Sequence, residues 1–352
     1  MVLWRKNTLL NKGQRQHSTT FLTLLIVIVP FYFVGQEKYS KNDHVEIDCT
    51  TTSTHYIVDY KFKDHLDYEH VFKMSLERFK MDTMIEKYGL PKSYFKNYRK
   101  KDAKLIAQRK KLAKESFFIL EGGVLKKDKK ALVDYYRGMT APIANFIIDY
   151  LEKSNQDTRA NRIEMAMKFV QDIPYGLPKD KKNDGKFGYI TPPEVLIEGY
   201  GDCDSKTILF VCIMSYLIPT NDIVYVSTPG HIFSAIKDYD TSKLLKHSEE
   251  YIPYTQRQFN TLDLDKYVEF NGDIYFVCET AGSARPNYGD NNKKLKLCYI
   301  ETFDLSQILS TNGYCYHSNT MSINKENRLQ FEFHSCFIYN PPTSYDMTKP
   351  ID

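Results

Sequence analysis

Residues 199–207 read Gly-Tyr-Gly-Asp-Cys-Asp-Ser-Lys-Thr and run directly into Ile208, Leu209, Phe210 and Val211. Two glycines permit a sharp turn, Asp202 is a good N-cap, and the apolar run beyond it suits a buried helix. This stretch commits the chain to a turn-into-helix corner with Cys203 where the helix starts. A thiol held there faces unpaired first-turn amides and the positive end of the helix dipole, both of which favour a thiolate. The usual consequence is a thiol pKa moved from about 8.5 toward roughly 3.5–7.5, provided a basic group lies nearby. A cationic or proton-accepting partner is therefore required.

Two candidates follow downstream. Residues 222–230 read as a short strand ended by Pro229 and Gly230, after which His231 opens a second strand. Residues 267–279 carry Asn271 and Gly272 between two aromatic and β-branched runs, the pattern of a two-residue hairpin whose second strand closes at Glu279. If the two strands are antiparallel neighbours, the start of one lies beside the end of the other, and an imidazole meets a carboxylate. Plainer readings stand beside these. Cys212, inside the apolar helix, reads as packing, the common fate of cysteine, whereas glycines, acids and a lysine surround Cys203. His231 also fits a simple turn residue, and Glu279 a solvated strand end. His65, His70, His247, His317 and His334 have no nucleophile signature around them and default to surface or packing roles.

A cysteine, a histidine and an acid in this order and setting resemble the transglutaminase-like fold, the circularly arranged relative of papain-type cysteine enzymes. The residues that carry the resemblance are 170–175 (Val-Gln-Asp-Ile-Pro-Tyr), 191–203 (Thr-Pro-Pro-Glu-Val-Leu-Ile-Glu-Gly-Tyr-Gly-Asp-Cys), Gly230 with His231, and 275–280 (Tyr-Phe-Val-Cys-Glu-Thr). It covers about residues 130–300. It implies an α+β fold with a nucleophile helix packed on an antiparallel sheet. Cys203 would be the nucleophile, His231 the general base and acid, and Glu279 the group that orients the imidazole. The family more often has aspartate at the third position, so Glu279 needs its backbone set back by about one methylene. Gln171 is the oxyanion candidate, because an upstream side-chain amide serves this purpose in related enzymes, with the Cys203 amide as second donor. A surface-helix position is its plainer reading. The implied chemistry is thiol-dependent amide or peptide hydrolysis through an acyl-enzyme, with a peptide or protein substrate and no cofactor. Transglutaminase-type transfer to an amine, or a non-catalytic binding or assembly module on the same fold, are the alternatives.

Other chemistries find little support in the sequence. Cys-x-x-Cys pairs, a His-Glu-x-x-His helix and a phosphate-cradling glycine loop are all missing, so no metal is expected. Residues 180–185 lack the alternating carboxylates of a calcium loop and read as a turn. A net charge of +4 over 352 residues is too small to argue for nucleic acid. Residues 98–114 hold eight basic residues against one acid, a stripe suited to anionic lipid or an envelope polymer, or else an ordinary solvated helix face.

The amino terminus bears on location. Residues 1–18 carry Arg5, Lys6, Lys12 and Arg15 without an acid, and residues 19–35 are uncharged and strongly apolar. A helix of that length spans about 25 Å against a hydrocarbon core of roughly 30 Å, short but usable as an anchor. The basic flank places residues 1–18 in the cytosol and the main domain outside it, with secretion after signal cleavage as the alternative. Setting aside Cys203 leaves six cysteines, an even number compatible with disulfides, with Cys298, Cys315 and Cys336 the candidates. The expected order of regions is a mixed, mainly helical lead-in over 36–130, the transglutaminase-like domain over 131–300, and a strand extension with a tail over 301–352. Short strands are expected at 45–49 and 55–60, helix over about 66–155, and late strands at 295–300 and 328–339. Residues 239–263 form an insertion long enough to act as a lid.

Overall fold

The computed structural model describes residues 41–95, 102–121, 124–178, 185–228, 230–239, 267–288, 299–302, 320–323 and 329–333. The expected anchor at 19–35 with its basic tail, the lid candidate beyond Tyr239, and Cys298, Cys315 and Cys336 lie outside the described residues. Among the described residues no helix is long and apolar enough to cross a membrane.

Three antiparallel strands come first: β1 (Glu46–Thr51), β2 (His55–Lys63) and β3 (Glu69–Glu77). Their side chains alternate between faces, so Val58, Tyr60 and Phe62 on β2, with Phe72, Met74 and Leu76 on β3, form one buried apolar face. Helices α1 (Arg78–Lys87), α2 (Lys92–Phe95) and α3 (Ala103–Glu115) follow, then a hairpin of β4 (Phe118–Glu121) and β5 (Val124–Lys127). Next come α4 (Lys129–Tyr136), a 3-10 turn over Arg137–Thr140, α5 (Ala141–Lys153), α6 (Arg159–Asp172), α7 (Pro192–Glu198) and α8 (Cys203–Leu217). The remaining strands are β6 (Ile223–Thr228), β7 (His231–Lys237), β8 (Tyr267–Phe270), β9 (Asp273–Cys278), β10 (Tyr299–Thr302), β11 (Thr320–Ile323) and β12 (Leu329–Phe333).

Two five-stranded sheets result. One has the order β10-β6-β7-β9-β8 and is antiparallel throughout. The other has the order β1-β2-β3-β12-β11, in which β12 runs parallel to β3. The fold is therefore α+β, with helices layered between mainly antiparallel sheets. Helix α8 occupies the centre: residues 205–215 are all buried, as a helix apolar on every side must be. It packs on β7 and against α4, α5, α6 and α7. Helix α6 in turn seats the first sheet. The Tyr60 hydroxyl donates to the Phe169 carbonyl at 2.7 Å, and the rings of Phe62, Phe72, Phe146 and Phe169 meet with centroids 5.1–6.0 Å apart. Burying each ring is worth on the order of 2 kcal/mol, so this junction outweighs any single polar contact across it.

Several expectations need correction. The region 66–155 is not continuous helix, because β3 and the β4–β5 hairpin interrupt it. Glu, Lys, Met and Leu give β3 a helix-forming composition, yet His70, Phe72, Met74 and Leu76 alternate inward, and burial of that face decides the outcome. Among the described residues one apolar cluster runs from Val45 to Cys278 and joins the first strands to α8. The basic stretch begins its helix at Ala103, where the Asp102 carboxylate accepts the Lys104 and Leu105 amides. Arg109 within it is buried, while Lys104, Lys110, Lys111 and Lys114 are exposed. The late strands form, β10 adding to β6 in the antiparallel sheet and β12 joining the other sheet beside β3.

Candidate active site

The corner around Cys203 is built from both sides. Helix α7 ends at Gly199, whose φ of 70° is the left-handed conformation a C-cap glycine supplies, and its amide donates to the Val195 carbonyl. Gly201 then makes a close backbone approach. Its amide donates to the Pro174 carbonyl at 3.1 Å, its carbonyl accepts the Gly176 amide at 3.2 Å, and a β-carbon there would lie 3.1 Å from Cγ of Lys206. Asp202 caps α8 by accepting the Ser205 amide at 3.0 Å, and Cys203 follows as the first helical residue, half-buried. Burial pushes the Asp202 carboxyl above its ordinary range. Beside it, Lys127 of β5 makes an ion pair with Asp204 and lies 4.9 Å from the centroid of the Tyr189 ring.

His231 is the first residue of β7, set by the turn at Gly230, and β7 lies between β6 and β9. The hairpin of β8 and β9 turns at Asn271 and Gly272, both left-handed with φ of 52° and 74°, as a type I′ turn demands. Pairing of β7 with β9 runs as far as Ser234 opposite Cys278. Continuing that register, residue 281 would face His231, so Glu279 approaches the histidine diagonally. A diagonal neighbour lies roughly 7–8 Å away, a distance that favours the longer glutamate over aspartate. The Glu279 Oε2 to His231 Nε2 distance is 2.6 Å, and Glu279 Oε1 accepts the Ala281 amide at 2.9 Å.

The Cys203 thiol donates to Asp204 Oδ1 at 3.9 Å, and the influence of Cys203 first, then of Glu279, raises His231 to about 9 against the opposing effect of burial. A protonated imidazole has a donor on each nitrogen, so it can serve a thiolate and a carboxylate together. The structure thus brings His231 and Glu279 into contact, with Cys203 near enough to act on the imidazole.

Gln171 is placed differently from the expectation. It is fully buried, and its side-chain amide donates to the carbonyls of Glu279 and Pro286, each at 2.8 Å. Both N–H donors are committed to backbone, so none remains for an oxyanion. Two further residues, Tyr175 and Lys206, border the corner that carries Cys203. Tyr175, half-buried, bridges to Gly201, and its hydroxyl is raised above its ordinary range by burial and then by the negative field of Cys203, Asp202, Glu279 and Asp204. It stays protonated and able to donate. Lys206, one turn into α8 and fully buried, donates to the carbonyls of Gln171 and Ile173 at 3.1 and 2.7 Å. Lys206 thereby ties the end of α6 to the nucleophile helix. The tight glycine at 201 implies that a second segment crosses there, and that segment holds Tyr175.

The chain matches no family model, no curated protein and no solved structure.

Proposed function

We propose that the chain is a thiol-dependent amide or peptide hydrolase of transglutaminase-like type, working through an acyl-enzyme on Cys203. One observation carries this reading: His231 contacts a carboxylate at 2.6 Å and is raised by a half-buried cysteine at a helix N-terminus. The Cys203 thiolate attacks the acyl carbon, forming the carbon–sulfur bond while the carbonyl electrons move to oxygen. The Cys203 backbone amide and the Tyr175 hydroxyl are the donors offered to that oxyanion, in place of Gln171. As the tetrahedral adduct collapses, His231 gives its proton to the leaving amine and the carbon–nitrogen bond breaks, leaving a thioester. Water then attacks, His231 takes its proton, and the acid departs as the thiolate–imidazolium pair is restored. Glu279 orients the ring throughout and stabilises its protonated form.

Hydrolysis rather than amine transfer is the reading adopted, because water is always available whereas an acceptor amine needs a site of its own. We place the reaction outside the cytosol, with the chain tethered through residues 19–35.

The test uses p-nitrophenyl acetate with the full-length chain. The expected result is a burst of about one nitrophenolate per chain, a transient acetyl group on the peptide containing Cys203, and loss of both in Cys203→Ser. Release unaffected by Cys203→Ser would contradict the proposal.

A further inference from the structure

We infer that the polar stripe of α6, formed by Glu164, Lys168, Gln171 and Asp172, is the device that sets Glu279 against His231, and that Gln171 and Lys168 are positioning residues for the acid. The inference rests on the proposed roles of His231 and Glu279. The four residues fall at helix positions i, i+4, i+7 and i+8, which share one face. Lys168, Gln171 and Asp172 are nearly fully buried, a costly place for polar groups unless each is matched. The segment that follows Glu279 matches Lys168 and the Gln171 amide, while Asp172 also accepts from Asn42 at 3.2 Å and the Lys63 amide at 3.0 Å and contacts His44 at 2.8 Å.

Every residue of the stripe contacts that segment. The Gln171 amide holds the Glu279 and Pro286 carbonyls. The Lys168 ammonium donates to the carbonyls of Arg285 and Pro286 at 2.9 and 3.0 Å and to Asn287 Oδ1 at 3.1 Å. Asp172 lies 3.0 Å from the Arg285 guanidinium, and Glu164 accepts the Tyr288 amide at 2.7 Å. Pairing of β9 with β7 stops at Cys278, one residue before the acid, so the sheet alone does not hold Glu279. Arg285 also takes a left-handed φ of 47°, a conformation that needs surrounding contacts to persist. The 2.6 Å contact with His231 therefore depends on helix α6 gripping the backbone on the far side of the acid. Losing that grip lets Glu279 swing away while the hydrophobic core is left as it was.

The experiment follows the His231 titration by NMR in the full-length chain made with carbon-labelled histidine, the signal being assigned by its loss in His231→Ala. Gln171→Leu and Lys168→Met are compared with the unaltered protein, and Lys168→Arg tests rescue. A lost charge-assisted contact corresponds to a shift of about one pH unit, so the His231 midpoint should fall by that much from about 9 in Gln171→Leu and Lys168→Met, and return in Lys168→Arg. Melting should stay cooperative in each. Should Gln171→Leu fail to fold, the Lys168 pair carries the same comparison. An unchanged His231 midpoint in the folded variants overturns the inference. The hydrolase reading fails separately: a chain whose midpoint moves as expected, yet whose Cys203 never acylates, keeps the positioning device and loses the reaction.

Discussion

Glu279→Gln keeps the length and shape of the side chain and removes the charge that faces His231 across 2.6 Å. A hydrogen bond to an ionised group contributes about 1.5–3 kcal/mol. About a fifth of each side chain is open to solvent, 22% for His231 and 19% for Glu279, and that screening sets the value at the lower end, about 1.5 kcal/mol. One pH unit corresponds to about 1.36 kcal/mol, so the His231 midpoint should fall by about one unit. The ratio of thiolate–imidazolium to neutral thiol–imidazole should fall roughly tenfold with it. The assay is the His231 titration midpoint by NMR in the full-length chain with carbon-labelled histidine, with iodoacetamide labelling of Cys212 read by peptide mass spectrometry as a check on folding. Cys212 is the internal reference, being fully buried with its thiol pushed far up by that burial, so its labelling reports unfolding. The account predicts a His231 midpoint about one unit lower in Glu279→Gln, with Cys212 silent in both proteins. Equal His231 midpoints in the two folded proteins would refute the claim that Glu279 stabilises the protonated imidazole.

Two further predictions concern stability. Burial pushes Lys206 down from its ordinary 10.5 to about 7, although Asp172 and Glu279 pull it up. The unfolded chain therefore binds this proton more tightly; the penalty on folding is full below pH 7 and is relieved as pH rises toward 10.5, so Lys206 makes stability increase over that window. Denaturant titrations at pH 7 and pH 10 should show this increase in the unaltered chain relative to Lys206→Met, and an identical pH difference in both would contradict it. Asp64 is fully buried and accepts from His70 at 2.9 Å and Tyr150 at 3.1 Å; burial opposes its charge, but the His70 contacts hold its carboxyl below the ordinary range. Its contribution is thus present above the unfolded value of about 3.9 and lost as pH falls through the lower folded one. Asp64→Ala should destabilise by about 1–3 kcal/mol at neutral pH, as expected when a buried acceptor is removed and its donors are left unpaired. A thermal-melt loss well under 1 kcal/mol would be inconsistent with that burial.

The elements that place Cys203, His231 and Glu279 were legible because each is fixed by local chemistry. A capped helix start, a glycine before His231 and an Asn-Gly hairpin are each written within a few residues. Even the preference for glutamate has a simple cause once register is known, since Glu279 must reach diagonally. What was not legible depends on partners far away in sequence. The carbonyls that Gln171 holds are over a hundred residues distant, and nothing near residue 171 announces them. Lys206 and Tyr175 matter through the crossing at Gly201, which the glycine hints at without naming the segment that crosses. Strand β3 was misread for a different reason. Its composition favours helix while its alternation favours strand, and the aromatic junction with α6 settles the conflict only after tertiary packing is in place.

The central claim is that Cys203 and His231 form an activated pair, and the most direct measurement is the pH profile of Cys203 alkylation in the unaltered full-length chain beside His231→Ala. The account predicts rapid labelling well below pH 8 in the unaltered chain, and loss of that low-pH reactivity in His231→Ala. Labelling that rises only near the free-thiol pKa of about 8.5 in both proteins would contradict it.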